Sequence, residues 1–162
     1  MPTCYILSGV PGCGKSTWAR NLQSKLPKYI EHVSRDEIRF SLLKSGEDYF
    51  AHEDEVLRLF YDRANKALSK GKNVILDATH TSTKAVSESL RRIHIPAKMV
   101  LVSFNIPLDV CLERNAQREG QERVPTHIVE TMYRSKQKLD TYVRGGSFAN
   151  QFSIMTIDYE EN

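Results

Sequence analysis

Apolar residues along the chain fall into short runs and helical stripes that alternate with each other. Continuous apolar runs of about four to eight residues are typical of strands buried on both faces of a parallel sheet. Apolar residues three or four positions apart predict helices with one buried face. The runs predict strands at residues 5–8, 29–33, 72–77, 98–104 and 152–157. The stripes predict helices at residues 15–25, 49–69, 84–93, 108–118 and 125–139, and one that begins after Ser34.

The alternation of strands and helices predicts an α/β fold in which helices flank a parallel β-sheet. The length of 162 residues is typical of one domain, so we expect residues 1–162 to form a single domain. A glycine-containing loop at about residues 115–125 is expected to act as a short lid. The acidic end at residues 158–162 is expected to be a loose tail.

Composition excludes several classes of protein. A chain that is 40% hydrophobic and 27% charged is neither disordered nor fibrous. It has no apolar stretch near the roughly 18 residues of a membrane span and no secretory signal, so we expect a cytoplasmic protein without a membrane partner. Three scattered cysteines argue against a disulfide framework or a zinc site. The formal net charge of +3 permits an anionic partner without requiring one.

Residues 9–16, the phosphate loop, read GVPGCGKS and match the pattern G-x-x-x-x-G-K-[ST] between a predicted strand and a predicted helix. Glycines let backbone N–H groups approach phosphates closely, and the following helix directs its positive end at the anion. Lys15 can reach the outer phosphates, and the hydroxyl of Ser16 can bind Mg²⁺. A chance glycine turn would not need these flanking elements. The sequence therefore predicts a site for ATP or another nucleoside triphosphate with Mg²⁺.

Asp36 and Arg39 follow the second predicted strand and share one face of the next helix. The carboxyl ends of parallel strands meet at one edge of a sheet, so this segment should face the phosphate loop. The carboxylate could accept a proton from an attacking hydroxyl while the arginine holds an anionic group of the acceptor. The alternative is that the acid only stabilises the helix dipole and that the arginine is only solvated.

Arg114 and Arg118 share a helix face just before the lid loop and could offset charge that develops on the triphosphate. A solvated basic face is the alternative. Asp77 ends a predicted strand and is a candidate for holding Mg²⁺ through water, or else a turn residue. No Glu follows Asp77, which favours transfer to an acceptor over a motor ATPase. Only His80 among the histidines stands where it could meet an acceptor; no partner is evident for His32, His52, His94 or His127.

Together these segments resemble the kinase domain of phage-type polynucleotide 5′-kinases, within the P-loop kinase superfamily. The resemblance covers roughly residues 3–140. It implies a three-layer P-loop NTPase fold with a short lid. It also implies a 5′-hydroxyl oligonucleotide or polynucleotide, RNA or DNA, as the acceptor. The segments that carry it are residues 9–20, 34–39, 77–80, 114–118 and 124–125, with Met132 beyond them.

The resemblance assigns roles to individual residues. Asp36 would be the general base for the 5′-hydroxyl, and Arg118 the lid arginine acting on the transferring phosphoryl group together with Lys15. His80 stands where these kinases commonly carry Asn, which could alter how the acceptor is held. The expected nucleotide-binding residues are Gly9, Gly12, Cys13, Gly14, Lys15, Ser16, Thr17, Arg114 and Arg118. The expected metal-binding residues are Ser16 and Asp77, and the expected acceptor-binding residues are Arg35, Arg39, Thr79 and His80.

Two other functions remain open on the sequence alone. The chain could phosphorylate a small acceptor such as a nucleoside, a sugar or another metabolite, because many kinases share the phosphate loop. It could also be a regulatory module that binds a nucleotide without transferring phosphate. That second function leaves Asp36 and Arg118 without a role. No D-x-D-x-T segment is present, so the sequence does not support a phosphatase.

Overall fold

The computed structural model describes residues 1–160 and contains five parallel strands in one sheet, ordered β2-β3-β1-β4-β5. The strands are β1 (Thr3–Ser8), β2 (Ile30–Ser34), β3 (Asn73–Asp77), β4 (Lys98–Asn105) and β5 (Ser153–Asp158). The helices are α1 (Lys15–Lys25), α2 (Arg35–Leu42), α3 (Glu53–Ser69), α4 (Thr83–Arg92), α5 (Leu108–Ala116) and α6 (Thr126–Arg144), with a 3₁₀ turn at Gly120–Glu122. No helix within residues 1–160 is long and apolar enough to cross a membrane.

Helices cover both faces of the sheet, which confirms the predicted three layers. Neighbouring strand residues point to opposite faces, and both Ile6 and Leu7 of β1 are fully buried. Ile6 belongs to a cluster with apolar residues of α2, α3, α4 and α6, among them Phe60. Leu7 belongs to a second cluster with residues of α1 and α5, among them Cys111. The continuous apolar runs of the central strands follow from burial on both sides.

Besides shifts of one or two residues at other ends, two helix boundaries and the expected tail differ from the sequence-based expectation. The helix expected from residue 49 begins at Glu53, because a turn precedes it in which the Asp48 carboxylate accepts a 3.0 Å hydrogen bond from the backbone N–H of Phe50. The last helix continues to Arg144. Asp158, expected in a loose tail, ends β5 and accepts a 3.1 Å hydrogen bond from Asn105. Residues 161–162 of that predicted tail lie outside the described residues.

The register of the strands brings three loops to one edge of the sheet. Ser34 at the end of β2 pairs with Asp77 at the end of β3, and β1 is the next strand in the sheet. The backbone N–H of Gly9 donates a 2.9 Å hydrogen bond to the carbonyl of Thr79. The phosphate loop after β1 is thus tied directly to the segment after β3.

Candidate active site

A cavity of about 730 Å³ opens at this edge of the sheet, between the phosphate loop, the start of α2 and the lid segment. It contains most of the side chains and loop positions that the sequence marked as functional. The predicted site residues that line it are Gly12, Gly14, Lys15, Ser16, Thr17, Arg35, Asp36, Arg39, Asp77, Thr79 and Arg118. Gly9, Cys13, His80 and Arg114 do not line it.

The phosphate loop has the backbone shape that a phosphate cradle needs. Gly12 has a φ of +86°, and a Cβ at this position would collide with the carbonyl oxygen of Cys111. Gly14 caps α1 with a φ of +97°, and no side chain within residues 1–160 accepts from the first amides of this helix. Those amides therefore remain available to an anion at the positive end of the helix.

The amine of Lys15 lies inside this loop. It is 9% exposed, and it donates a 3.1 Å hydrogen bond to the carbonyl of Val10, with the sulfur of Cys13 3.7 Å away. Among residues 1–160, no carboxylate forms an ion pair with it. A buried cation is stable only with a charged or strongly polar partner, so the amine is well placed to bind a phosphate.

Ser16 and Asp77 meet below the phosphate loop. The hydroxyl of Ser16 donates a 2.8 Å hydrogen bond to Oδ2 of Asp77, whose residue is 5% exposed. Burial alone would raise the pKa of Asp77. Hydrogen bonds from His32 and Ser16 and the nearby charge of Lys15 nevertheless hold it below its usual value, so the carboxylate stays ionised.

A hydroxyl and a carboxylate are the oxygen ligands that Mg²⁺ prefers, so this corner fits the predicted metal. Within residues 1–160, no group of three His, Cys, Asp or Glu side chains is arranged to hold a metal ion. Mg²⁺ usually keeps several waters and is bound by one or two protein oxygens together with the phosphates of the nucleotide. Ser16 and Asp77 can supply those protein oxygens.

His32 was missed by the sequence analysis. Its Nε2 lies 2.8 Å from the same Oδ2 of Asp77 that accepts from Ser16. The residue stands two positions before the end of β2, and the pairing of Ser34 with Asp77 brings the two strand ends together. Only the pairing of β2 with β3 reveals this contact, because the two residues are 45 positions apart.

Asp36 faces the same cavity from the first turn of α2, and its side chain is 60% exposed. Ser34 caps this helix by accepting a hydrogen bond from the backbone N–H of Glu37. The cap fixes the direction in which the helix leaves β2. Arg39, one turn later, donates a hydrogen bond to Oδ1 of Asp36. The carboxylate is thus held in place on one side and open to the cavity on the other.

Arg39 is 5% exposed and is bound from several directions. Its Nη2 donates to Oε1 of Glu53 at 2.8 Å, and its Nε donates to Oε2 at 3.1 Å. Burial opposes its charge, but Glu53, Tyr49 and Asp36 together raise the pKa of Arg39 above its ordinary value. An acceptor phosphate that contacts Arg39, as predicted, would therefore either displace one of these partners or bind in addition to them.

Tyr49 completes the network and was also missed by the sequence analysis. Its hydroxyl donates a 3.1 Å hydrogen bond to Oδ1 of Asp36 and accepts a 2.8 Å hydrogen bond from Arg39. Burial and the neighbouring negative charge of Asp36 raise the pKa of Tyr49 to about 12, so the phenol remains a donor at neutral pH. The sequence placed Tyr49 inside a helix, where nothing marked it as a partner of Asp36.

The lid segment between α5 and α6 brings Arg118 to the cavity. Its Nη1 lies 3.5 Å from the carbonyl of Glu122, a long and weak hydrogen bond. Its own carbonyl accepts a 2.7 Å hydrogen bond from Arg123. Arg114 lies outside the cavity, where its Nη1 donates to the carbonyl of Gly12 at 3.4 Å and its guanidinium lies 5.9 Å from the ring centroid of Tyr159.

His80 does not face the cavity, contrary to the prediction that it contacts the acceptor. The residue is 1% exposed and has a φ of +40°. Its Nδ1 lies 2.7 Å from the carbonyl of Leu7, and its Nε2 lies 2.7 Å from Oγ of Ser89. Burial, with a smaller effect of the charge of Arg35, lowers the pKa of His80 to about 3. The ring is a neutral part of the core, whereas the preceding Thr79 lines the cavity.

Gly9 and Cys13 support the phosphate loop from behind. A Cβ on Gly9 would press against the side chains of Cys13 and Phe104. The side chain of Cys13 is buried in the same cluster as Leu7 and Cys111. These positions shape the loop without lining the cavity.

The parallel sheet, the glycine-rich loop that opens α1, and the Ser16–Asp77 corner define a P-loop protein of the kinase type. The AAA_33 family model, described as an AAA domain, matches residues 5–139. The chain belongs to this family.

Two curated proteins are similar to the chain in sequence. The chain is 24% identical, over 85% of its length and 21% of the relative's, to a protein of Autographa californica nuclear polyhedrosis virus named "Putative bifunctional polynucleotide kinase/RNA ligase". It is 29% identical, over 96% of its length and 59% of the relative's, to an L-seryl-tRNA(Sec) kinase of Methanococcus maripaludis. The chain therefore spans only part of each of these relatives.

A chain in the structure of the Pnkp1/Rnl/Hen1 RNA repair complex has the same fold. It superposes with a TM-score of 0.76 at 23% identity, over 86% of this chain and 45% of that one. This likeness concerns the fold.

Proposed function

We infer that the chain transfers the γ-phosphoryl group of ATP, or of another NTP, to the 5′-hydroxyl of a nucleic acid. The observation that carries this inference is the placement of Asp36. Its exposed carboxylate lines the same cavity as Lys15 and Ser16, with Arg118 on the lid side. A nucleotide-binding loop facing a fixed, solvent-accessible carboxylate is the arrangement that transfer to a hydroxyl acceptor requires.

The residues divide the reaction among them. Asp36 accepts the proton of the acceptor hydroxyl while the hydroxyl oxygen bonds to the γ-phosphorus. The bond between that phosphorus and the β–γ bridging oxygen breaks, and the nucleoside diphosphate is released. Lys15, the loop amides and Arg118 stabilise the charge on the transferring group. Ser16 and Asp77 would hold Mg²⁺, which when bound neutralises phosphate charge. Thr79 and Arg35 line the acceptor side of the cavity.

Two lines of evidence support a nucleic-acid acceptor over a small molecule. The names of both curated relatives refer to nucleic acid, as a polynucleotide kinase/RNA ligase in one case and as a seryl-tRNA kinase in the other. The cavity also collects basic side chains beyond those that the nucleotide needs, namely Arg20, Arg35 and Arg123. Such positive charge suits an acceptor with several phosphates.

The decisive test is transfer of label from γ-labelled ATP with Mg²⁺ to a 5′-hydroxyl oligonucleotide, with a 5′-phosphorylated oligonucleotide as control. Label on the 5′-hydroxyl strand alone is the expected result. Asp36→Asn should abolish most transfer while leaving ATP binding nearly intact. Asp62→Asn, at an exposed carboxylate outside the cavity, is the matched control and should keep full activity.

The salt dependence of transfer tests the acceptor class. Transfer to a polynucleotide should weaken steeply as salt rises, because several phosphates release counterions on binding. Transfer to a neutral nucleoside or sugar should hardly respond. If ATP binds but no oligonucleotide is labelled, a small acceptor is the function to pursue. Tight nucleotide binding without any labelled acceptor would instead indicate a regulatory module.

A further inference from the structure

Two aromatic rings from the segment between α2 and α3 line the acceptor side of the cavity. Tyr49 and Phe50 stand edge to face, with their ring centroids 4.7 Å apart. Phe40, one turn beyond Asp36 on α2, supports Tyr49 from 6.1 Å. Phe50 is 63% exposed and lines a cavity that also contains many charged side chains, so its ring is accessible to a ligand there.

The position of this aromatic pair is fixed by the same groups that position the proposed base. Tyr49 is anchored by its hydrogen bonds to Asp36 and Arg39, and the guanidinium of Arg39 lies over its ring at 4.5 Å. The same guanidinium lies 5.8 Å from the ring centroid of Phe50. Phe50 and Asp36 therefore share Tyr49 and Arg39 as neighbours and line the same cavity.

The donor's phosphates would be bound by the phosphate loop and the start of α1, whereas Tyr49 and Phe50 lie next to Asp36, the proposed base for the acceptor. A ligand that covers an exposed apolar ring removes its surface from water, which favours binding. Nucleobases have flat π-faces that stack on aromatic side chains regardless of sequence. Phosphates lack such a face, so the ring is suited to the base and the arginines to the phosphate backbone. Apolar side chains of the lid and α6, Val124, Pro125 and Met132, also line this cavity.

We propose that Phe50, backed by Tyr49, is a stacking platform for the base of the acceptor's 5′-terminal nucleotide. The inference rests on the proposed function and narrows it to acceptors that carry a base beside the 5′-hydroxyl. The platform holds the terminal nucleoside so that its hydroxyl meets Asp36. It makes the kinase tolerant of sequence, because every base can stack.

The test compares two acceptors of identical sequence, one with a normal 5′-terminal nucleoside and one with an abasic 5′-terminal residue that keeps the 5′-hydroxyl. With the wild-type protein, removal of the base should lower kcat/KM by about 5- to 150-fold, the range expected from base–aromatic stacking. Phe50→Ala should lower kcat/KM for the normal acceptor by a similar factor and should hardly affect the abasic one. Phe50→Trp should restore the preference for the base.

Two controls separate stacking from general damage. Tyr29→Ala removes an equally exposed ring (64%) outside the cavity and should leave both acceptors unaffected. Phe50→Leu keeps an apolar side chain without a π-face, so it should recover little of the base preference. Quenching of a 5′-terminal 2-aminopurine on binding should be strong with the wild type and lost with Phe50→Ala, which tests the platform without turnover.

The outcomes test the stacking platform and the proposed kinase function separately. If the wild type labels both acceptors equally, or if Phe50→Ala lowers both by the same factor, the platform is refuted while the proposed kinase function stands. If no oligonucleotide is labelled under conditions where ATP binds, the proposed function fails and the platform fails with it. A base effect that is present in the wild type and in Phe50→Trp, and largely lost in Phe50→Ala and Phe50→Leu, supports both.

Discussion

The imidazole of His32 lies 2.8 Å from the Asp77 carboxylate, on the same oxygen that accepts a hydrogen bond from Ser16. A partner that orients a metal-binding carboxylate commonly changes metal affinity or activity by about 10- to 100-fold when it is removed. We expect His32→Ala to raise the Mg²⁺ concentration needed for half-maximal transfer by about tenfold. A magnesium titration of the transfer rate measures this.

Two further variants make this prediction specific. His32→Gln keeps a side-chain donor in the strand and should recover part of the metal affinity. His94→Ala changes an exposed histidine away from the cavity and should have no effect. An unchanged magnesium titration for His32→Ala would show that the contact with Asp77 plays no part in metal binding.

Glu53 is the carboxylate that holds the buried guanidinium of Arg39, through hydrogen bonds of 2.8 and 3.0 Å to its Nη2. Glu53→Gln keeps the shape of the side chain but removes its negative charge, so the buried positive charge of Arg39 is less well balanced. Because Glu53 is 30% exposed, water can replace part of the lost interaction. We expect a loss of about 1–3 kcal/mol in the free energy of unfolding and a raised KM for the acceptor.

Denaturant unfolding and steady-state kinetics measure these two effects separately. Glu55→Gln, in the same turn of α3, is the matched control. Glu55 is 49% exposed and lies 3.8 Å from Arg58, so its loss should cost almost nothing. Equal stability of the two variants would mean that the bond between Glu53 and Arg39 contributes no more than a surface ion pair.

Within residues 1–160, the guanidinium of Arg118 forms a single, weak hydrogen bond, to the carbonyl of Glu122, so it can turn toward a bound triphosphate. A contact that forms with the transferring phosphoryl group stabilises the transition state more than the bound nucleotide. We expect Arg118→Ala to lower kcat about 100-fold and to change the Kd for ATP by less than about threefold. Single-turnover transfer measures the effect on catalysis, and equilibrium ATP binding measures the effect on affinity. Arg63→Ala, at an exposed arginine, is the control. A loss confined to ATP affinity would contradict the assigned role.

The parts of the site that the sequence predicted are those encoded in short continuous segments. The phosphate loop is one run of eight residues whose glycines and lysine act next to each other, so its function follows from local sequence. The positions of the strands are also encoded locally, because buried parallel strands need continuous apolar runs. The proximity of Asp36 and Arg39 could be predicted because the two residues are one helical turn apart.

The parts that were missed depend on contacts between distant segments. His32 meets Asp77 across 45 positions through the register of β2 and β3, and Arg39 meets Glu53 across 14 positions through the turn at Asp48. Neither contact leaves a periodic signal in the sequence. His80 shows the opposite error, since the sequence placed it correctly after β3 but could not show which way its ring turns.

Because the ring of His80 is buried, the free energy of unfolding should depend on pH. In the unfolded chain a histidine binds a proton below about pH 6.5, whereas in the folded protein the pKa of His80 is lowered to about 3. Between these values the unfolded state holds more protons, so the stability that the neutral ring contributes is complete above pH 6.5 and falls as the pH drops toward 3. The expected slope from this group is about 1.4 kcal/mol per pH unit.

Urea unfolding of the wild type and of His80→Asn between about pH 7.5 and pH 5 measures this slope. Asn tolerates a positive φ and cannot titrate, so the variant should lose the part of the slope that belongs to His80. His94→Asn, at an exposed histidine, should keep the wild-type slope. A His80→Asn protein with the same pH dependence as the wild type would show that His80 is not held neutral in the core, because a buried neutral ring must be protonated when the chain unfolds in acid.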